Sequence, residues 1–247
     1  MERNLEELER AKIALRRKAR VVVLTGAGVS KESGVPTFRG TNGLWKEFRA
    51  QELATPEAFR KNPVLVWEFY EFRRALVSRA VPNLAHVALA TLEARIPHFC
   101  LITQNVDGLH ARAGSKNIIE LHGSLFRVHC LDCGVLEENF AVPIAQKLPP
   151  LCHHCGGLLR PDVVWFGEPL PAGVMSKAFE EAGKCEAMLV IGTSGLVFPA
   201  ASLPGVAKDA GAFLIEINPE STPLSPMTDV CLRGSAASVL PRLLQEP

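Results

Sequence analysis

The stretch RVVVLTGAGVS, residues 20–30, constrains the fold of this chain more than any other. A continuous apolar run without polar alternation belongs in a parallel strand covered on both faces. This one leads directly into Gly26 and Gly28, a pair that permits a tight turn and close approach of backbone to a phosphate. Three more runs have the same character: FCLIT (99–103), AMLVIG (187–192) and FLIEI (213–217). Helix-period segments lie between them, among them NLAHVALATLEAR (83–95), with Asn83 as its cap, and AGVMSKAFEEAG (172–183). Strand and helix in alternation predict an α/β fold with a doubly wound, parallel, Rossmann-like sheet.

Two regions break the alternation. Residues 41–80 read as helical, with no convincing strand, and residues 125–162 hold two cysteine pairs and the turn KLPPLC. The expectation is a smaller inserted domain with a helical part, 41–80, and a zinc part, 125–162. Residues 1–40, 81–124 and 163–247 then form the nucleotide-binding domain. The N-terminal MERNLEELERAKIALRRKAR lacks an apolar signal core and reads as a polar helix with Leu5, Leu8 and Leu15 on one side.

No run approaches the roughly 18 apolar residues of a membrane span. The 27 Lys and Arg against 26 Asp and Glu give a net charge of +1, which supplies no field for nucleic acid or anionic lipid. These observations predict a cytoplasmic protein with no specific nucleic-acid or membrane partner, a monomer by default. Its seven cysteines should be reduced or metal-bound.

Cys130 and Cys133 are separated by two residues, as are Cys152 and Cys155. Such knuckles aim paired thiolates at one metal, and two knuckles close a tetrahedral shell. Four thiolates leave no open position, so the expected ion is one structural Zn2+. His129, His153 and His154 stand beside these ligands as competitors, while Cys100, Cys185 and Cys231 read as small buried residues in or near strands.

After the first strand, Lys31 stands where a dinucleotide fingerprint wants its third glycine, and the next glycine is Gly34. The loop is a phosphate site or a plain turn, with free N–H groups at a helix start favouring an anion. Arg39 is a phosphate contact or a surface ion pair. FCLITQNVDGLH sets Gln104, Asn105 and Asp107 just past a strand, facing the crevice of such a sheet or forming an Asx-rich turn. In IIELHGSL, His122 is the candidate general base, or a structural histidine.

GAGVSKESGVPTFRG, TQNVDGLH, LHGS, the cysteine pairs, RPDVVWFGE, IGTS and EINPE occur in one order. Together they resemble the sirtuin (Sir2) family of NAD-dependent protein lysine deacylases, over about residues 21–241. The resemblance implies that NAD is consumed as co-substrate. On that chemistry the acyl-lysine oxygen would displace nicotinamide from its ribose carbon, and His122 would deprotonate a ribose hydroxyl that takes the acyl group, giving free lysine and acyl-ADP-ribose. By position it implies NAD contacts at Gly26, Ala27, Gly28, Phe38, Arg39, Trp45, Gln104, Asn105, Asp107, Gly192, Thr193, Ser194, Asn218, Pro219, Glu220 and Ala236. Val163, Trp165, Phe166, Gly167 and Glu168 match the segment that pairs with an acyl-lysine protein or peptide by strand addition.

In WEFYEFRRAL (67–76), Tyr70 and Arg73 are three apart and share a helix face. A phenol and a cation together can hold a carboxylate at the end of an acyl chain; a solvated Arg beside a half-buried Tyr is the plainer reading. The pair resembles the motif of the sirtuin subgroup that removes succinyl and malonyl groups, with Ala54 widening the acyl pocket. Two other readings compete: an NAD-linked oxidoreductase, which lacks its third glycine and ribose acid here, and a zinc-containing nucleic-acid module, which the charge balance opposes.

Overall fold

A computed structural model describes residues 2–16, 18–36, 44–45 and 48–245. Helix α1 (Glu2–Arg16) precedes β1 (Arg20–Thr25), which runs into a 3-10 helix over Ala27–Ser33. A short hairpin of β2 (Leu44–Trp45) and β3 (Phe48–Arg49) leads to α2 (Ala50–Leu53), α3 (Pro56–Lys61) and α4 (Pro63–Arg79). Then come α5 (Leu84–Glu93), β4 (His98–Thr103), α6 (Leu109–Arg112) and β5 (Ile118–Glu120). The strands β6 (Gly123–Cys130), β7 (Leu136–Glu138) and β8 (Leu159–Val163) follow. The chain closes with α7 (Ala172–Lys184), β9 (Ala187–Ile191), α8 (Leu203–Asp209), β10 (Phe213–Ile217), β11 (Val230–Leu232) and α9 (Ala236–Leu244).

Six strands form one all-parallel sheet in the order β11-β10-β9-β1-β4-β5. Counted along the chain, this is the doubly wound Rossmann order, with its switch point between β1 and β9. The apolar runs are continuous because alternate residues enter two different cores. Val21, Val23, Leu101, Leu189 and Ile215 meet α1, α5 and α9. Val22, Leu24, Ile102, Met188, Val190 and Leu214 meet α7 and α8 on the other face. Each fully buried side chain of this kind contributes roughly 1.5–3 kcal/mol. In α1, Leu8, Ala11 and Leu15 make the buried stripe, whereas Leu5 is exposed. Asn83 does cap α5: its Oδ1 accepts the Ala85 N–H at 2.9 Å.

The second body has its own core. It combines α2–α4 with the antiparallel sheet β7-β6-β8, through Phe59, Trp67, Phe69, Tyr70, Leu125, Val128, Val163 and Trp165. The hairpin at 44–49 departs from the all-helical reading of 41–80; strands two residues long leave no alternation to detect. Thr55 and Asn62 cap α3 and α4, each followed by a proline at the first helical position, where its missing N–H costs nothing. Arg74 is fully buried and ties α4 to the loop after β7. Its guanidinium donates to the carbonyls of Leu125 (2.5 Å), Asn139 (2.8 Å) and Ala141 (2.7 Å), and Glu71 lies 3.3 Å from its Nε. Among the described residues, no single helix is long and apolar enough to cross a membrane.

Candidate active site

The residues singled out along the sequence converge at the carboxyl ends of five parallel strands. Gly26–Gly28 follow β1, Gln104–Asp107 follow β4, and Gly192–Ser194 follow β9. Asn218–Glu220 follow β10, and Ala236 opens α9 after β11. The glycines are required by the protein's own backbone. A Cβ on Gly28 would sit 2.7 Å from the Gly192 oxygen, and one on Gly192 (φ +58°) 2.6 Å from the Val29 nitrogen. The loops after β1 and β9 therefore interlock, with the Gly28 N–H bonded to the Gly192 carbonyl at 2.8 Å. Thr193 gathers the neighbouring loops: Gln104 Nε2 donates to its Oγ1 at 3.0 Å and Asn218 Nδ2 to its carbonyl at 2.8 Å.

One sequence expectation needs revision here. The segment after β1 is a 3-10 helix ending at Gly34 (φ 81°), not the α-helix whose open N–H groups would face an anion. Lys31 is exposed on it. With no α-helix packed against β1 at this point, no third glycine is needed for close packing. Further, the first turn of α9 is occupied by Glu32, whose carboxylate accepts the Ser235 hydroxyl (2.7 Å) and the Ala237 N–H (3.1 Å). Phe38 and Arg39 lie outside the described residues, as does the side chain of Trp45.

Asp107 is buried in a network the sequence reading did not assemble. Ser30 Oγ donates to its Oδ2 at 2.7 Å, receives Asn105 Nδ2 at 3.2 Å and lies 3.3 Å from His86 Nε2. The Asn83 N–H points at His86 Nδ1 (3.2 Å), so the neutral ring carries its proton on Nε2, toward Ser30. Burial lowers the His86 pKa, and the nearby Asp107 offsets this in part. Beside it, His110 is pushed down to about 3, first by burial and then by His86. The available signal was a polar residue, His86, at a buried position of an apolar helix.

His122 sits between the two bodies, directly before β6. Its Nδ1 lies 2.8 Å from the Gln104 carbonyl, which can only accept, so Nδ1 carries the proton and Nε2 is the open lone pair. Burial lowers its pKa, and the Gln104 bond raises it less. The imidazole is thus neutral near pH 7, the form a general base requires. The His122 carbonyl accepts the Val164 N–H at 3.0 Å. A Cβ on Gly123 (φ +79°) would fall 2.0 Å from the Asp162 oxygen, so only glycine joins the histidine to this crossing.

In the smaller lobe, Tyr70 and Arg73 meet on α4. Tyr70 is fully buried, not half-exposed, and its Oη accepts Trp165 Nε1–H at 2.8 Å. Arg73 stacks 5.4 Å from the Tyr70 ring and hydrogen-bonds the same residue. Burial lowers the Arg73 pKa, with Tyr70 and Asp107 opposing. The Ala54 carbonyl receives the Phe166 N–H at 2.9 Å, which sets Ala54 against the segment Val163–Glu168. Glu168 grips Arg160 (2.6 and 2.9 Å) and the Trp165 N–H (2.8 Å), Gly167 turns at φ 88°, and Phe166 is left exposed.

Cys130, Cys133, Cys152 and Cys155 bring four sulfurs within 4.8 Å of one another. The Cys130–Cys155 and Cys133–Cys152 separations are 3.5 and 3.8 Å. Zinc–sulfur bonds of about 2.3 Å in a tetrahedron demand sulfurs about 3.8 Å apart, so the cluster fits a structural zinc ion. Backbone N–H groups of Asp132 and Gly157 approach the Cys130 and Cys155 sulfurs at 3.4 Å. Cys100 and Cys185 are buried as expected; Cys231 is only half-buried.

Residues 26–199 match the model of the Sir2 family. An NAD-dependent protein deacylase of Aquifex aeolicus is 52% identical over 223 residues, 90% of this chain and 93% of its own length. The crystal structure of a Sir2 homolog–NAD complex superposes with a TM-score of 0.89 at 51% identity, over 95% of this chain and 91% of that one. A Sir2–p53 peptide–NAD+ structure does so at 0.86 and 33% identity, over 96% and 97%. The class defined by fold and site is the NAD-dependent protein deacylases. The chain belongs to the Sir2 family and is an enzyme of that class.

Proposed function

We propose that the enzyme removes acyl groups from protein lysines, taking succinyl and malonyl groups as well as acetyl, with NAD bound at the switch point. The observation that carries the acyl assignment is the pairing on α4 of the buried Tyr70, whose phenol already accepts from Trp165, with the half-buried Arg73. The Tyr70 hydroxyl, accepting from Trp165, has a proton to donate, and Arg73 sets a cation beside it. A carboxylate at the end of an acyl chain can accept from both.

NAD, when bound, supplies the ribose that receives the acyl group and loses nicotinamide. The interlocked loops at Gly28 and Gly192, with Thr193 and Asn218, hold its ribose and phosphate parts. Gln104, Asn105 and Asp107 orient the nicotinamide half. His122 Nε2 takes the ribose hydroxyl proton, while Nδ1–H stays fixed on Gln104. Val163–Glu168 pairs with an extended acyl-lysine peptide, and Ala54 leaves room for the acyl chain. Zinc holds the smaller lobe and activates no water.

The test compares kcat/KM for succinyl- and acetyl-lysine peptides in wild type and Arg73→Met. Selective loss of succinyl turnover supports the carboxylate role. An equal loss for both peptides, or none, removes it.

A further inference from the structure

Among the described residues, one group of donor side chains outside the four-cysteine cluster converges without a role in the deacylase site. Glu137 on β7 and His153 and His154 on the second knuckle bring three donor atoms within 4.8 Å of one another. His153 Nδ1 lies 3.5 Å from Glu137 Oε1. First-row ions bound by imidazole and carboxylate at about 2.0–2.2 Å set tetrahedral edges of about 3.3–3.6 Å, so the pair already spans such an edge. The two imidazole rings stand 3.9 Å apart at 40°.

The donors arrive on stiff supports. Glu137 is held in register opposite Val128 in the antiparallel sheet. The histidines lie between Cys152 and Cys155, on a knuckle closed by the Gly156 N–H to the Cys152 carbonyl at 2.8 Å. Both histidines are exposed and Glu137 partly so, which leaves coordination positions open to water.

We propose that Glu137, His153 and His154 form a second metal site, a two-histidine, one-carboxylate set for an exchangeable divalent first-row ion such as Zn2+, Ni2+ or Co2+. Nitrogen and oxygen donors with open positions suit these ions. The site is distinct from the thiolate cluster, which is closed and holds its ion structurally.

The test uses untagged protein with its thiolate site filled by zinc, titrated with Ni2+ in a calorimeter and by equilibrium dialysis. One further equivalent should bind. Glu137→Gln and the double variant His153→Ala/His154→Ala should each weaken it. Losing a direct ligand costs at least what losing an outer partner does, about 10–100-fold. Tightly held zinc should stay at one equivalent in Glu137→Gln, which leaves the knuckle sequence intact and so keeps the test valid if the double variant folds poorly. Absence of a further equivalent in wild type, or unchanged Ni2+ affinity in Glu137→Gln, would overturn the proposal.

Discussion

In the six-stranded sheet, every residue of β1 from Val21 to Thr25 and of β9 from Ala187 to Ile191 is buried between two layers of helices. In the smaller lobe, a shared apolar core is supplemented by one buried guanidinium that ties α4 to β6 and the loop after β7, and by four sulfurs that tie together the loops of the three-stranded sheet. The first body is held by area removed from water, spread over many side chains. The second adds a few polar centres to a smaller core. Small cores lack the area to stabilise themselves and take on such staples. Damage should therefore be graded in the sheet and abrupt in the smaller lobe.

Removing zinc is the hardest test of that contrast. Structural zinc contributes roughly 10–16 kcal/mol in small modules, so chelation or Cys130→Ala should unfold the smaller lobe and abolish turnover together. Near-UV circular dichroism of its tryptophans, Trp67 and Trp165, should collapse while far-UV helix signal largely persists. Inactivation with the tryptophan signal intact would contradict the staple. His122→Ala is the converse, a loss of chemistry without loss of structure. Turnover should fall by about 10²–10⁴ with an unchanged melting curve; substantial residual turnover would remove the histidine as base.

Arg74→Ala sharpens the comparison within the lobe. It removes a fully buried guanidinium from the Leu125, Asn139 and Ala141 carbonyls and from Glu71, and should cost about 3–5 kcal/mol, read as a lowered Tm, whereas Ile215→Val in the sheet should cost about 0.5–1.5 kcal/mol. Equal effects would erase the distinction. Arg73→Met, one residue away, should leave Tm nearly unmoved and lower only succinyl kcat/KM, by about 10–100-fold for a charge-assisted contact worth 1.5–3 kcal/mol.

The smallest expected effects follow pH. The folded pKa of His122 is lowered, so its base form persists on acidification and the acid limb of kcat/KM should lie below 6.5. The same sign governs stability through His110, lowered from 6.5 to about 3. The unfolded chain binds the extra proton in that window. Stability from this source is complete above pH 6.5 and is lost as pH falls toward 3. A limb above 6.5, or a melting temperature flat across the window, would contradict these assignments.

The parallel sheet was legible because Val21–Leu24 face two cores at once, which leaves an unbroken apolar run. The thiolate cluster was legible because its ligands come in knuckles whose spacing is local. His122 and the strand-end polar residues were legible as members of an ordered set of motifs. What stayed hidden depends on contacts between distant segments. The Ser30–Asp107–His86 network joins three elements, and each member looked ordinary in its own segment. The hairpin at 44–49 is shorter than any period. Tyr70 was read as half-buried because nothing local announces that Trp165 closes over it. Glu32 at the start of α9 pairs residues more than 200 positions apart.

The residue after His122 also limits how this enzyme can change. The space a side chain at Gly123 would need is filled by the Asp162 carbonyl, a main-chain atom that every amino acid carries. No substitution in the neighbouring strand can vacate it. Any lineage that keeps this histidine beside the Val163–Glu168 segment keeps a glycine after it, and an engineer who wishes to stiffen the join must work from Ser124 onward.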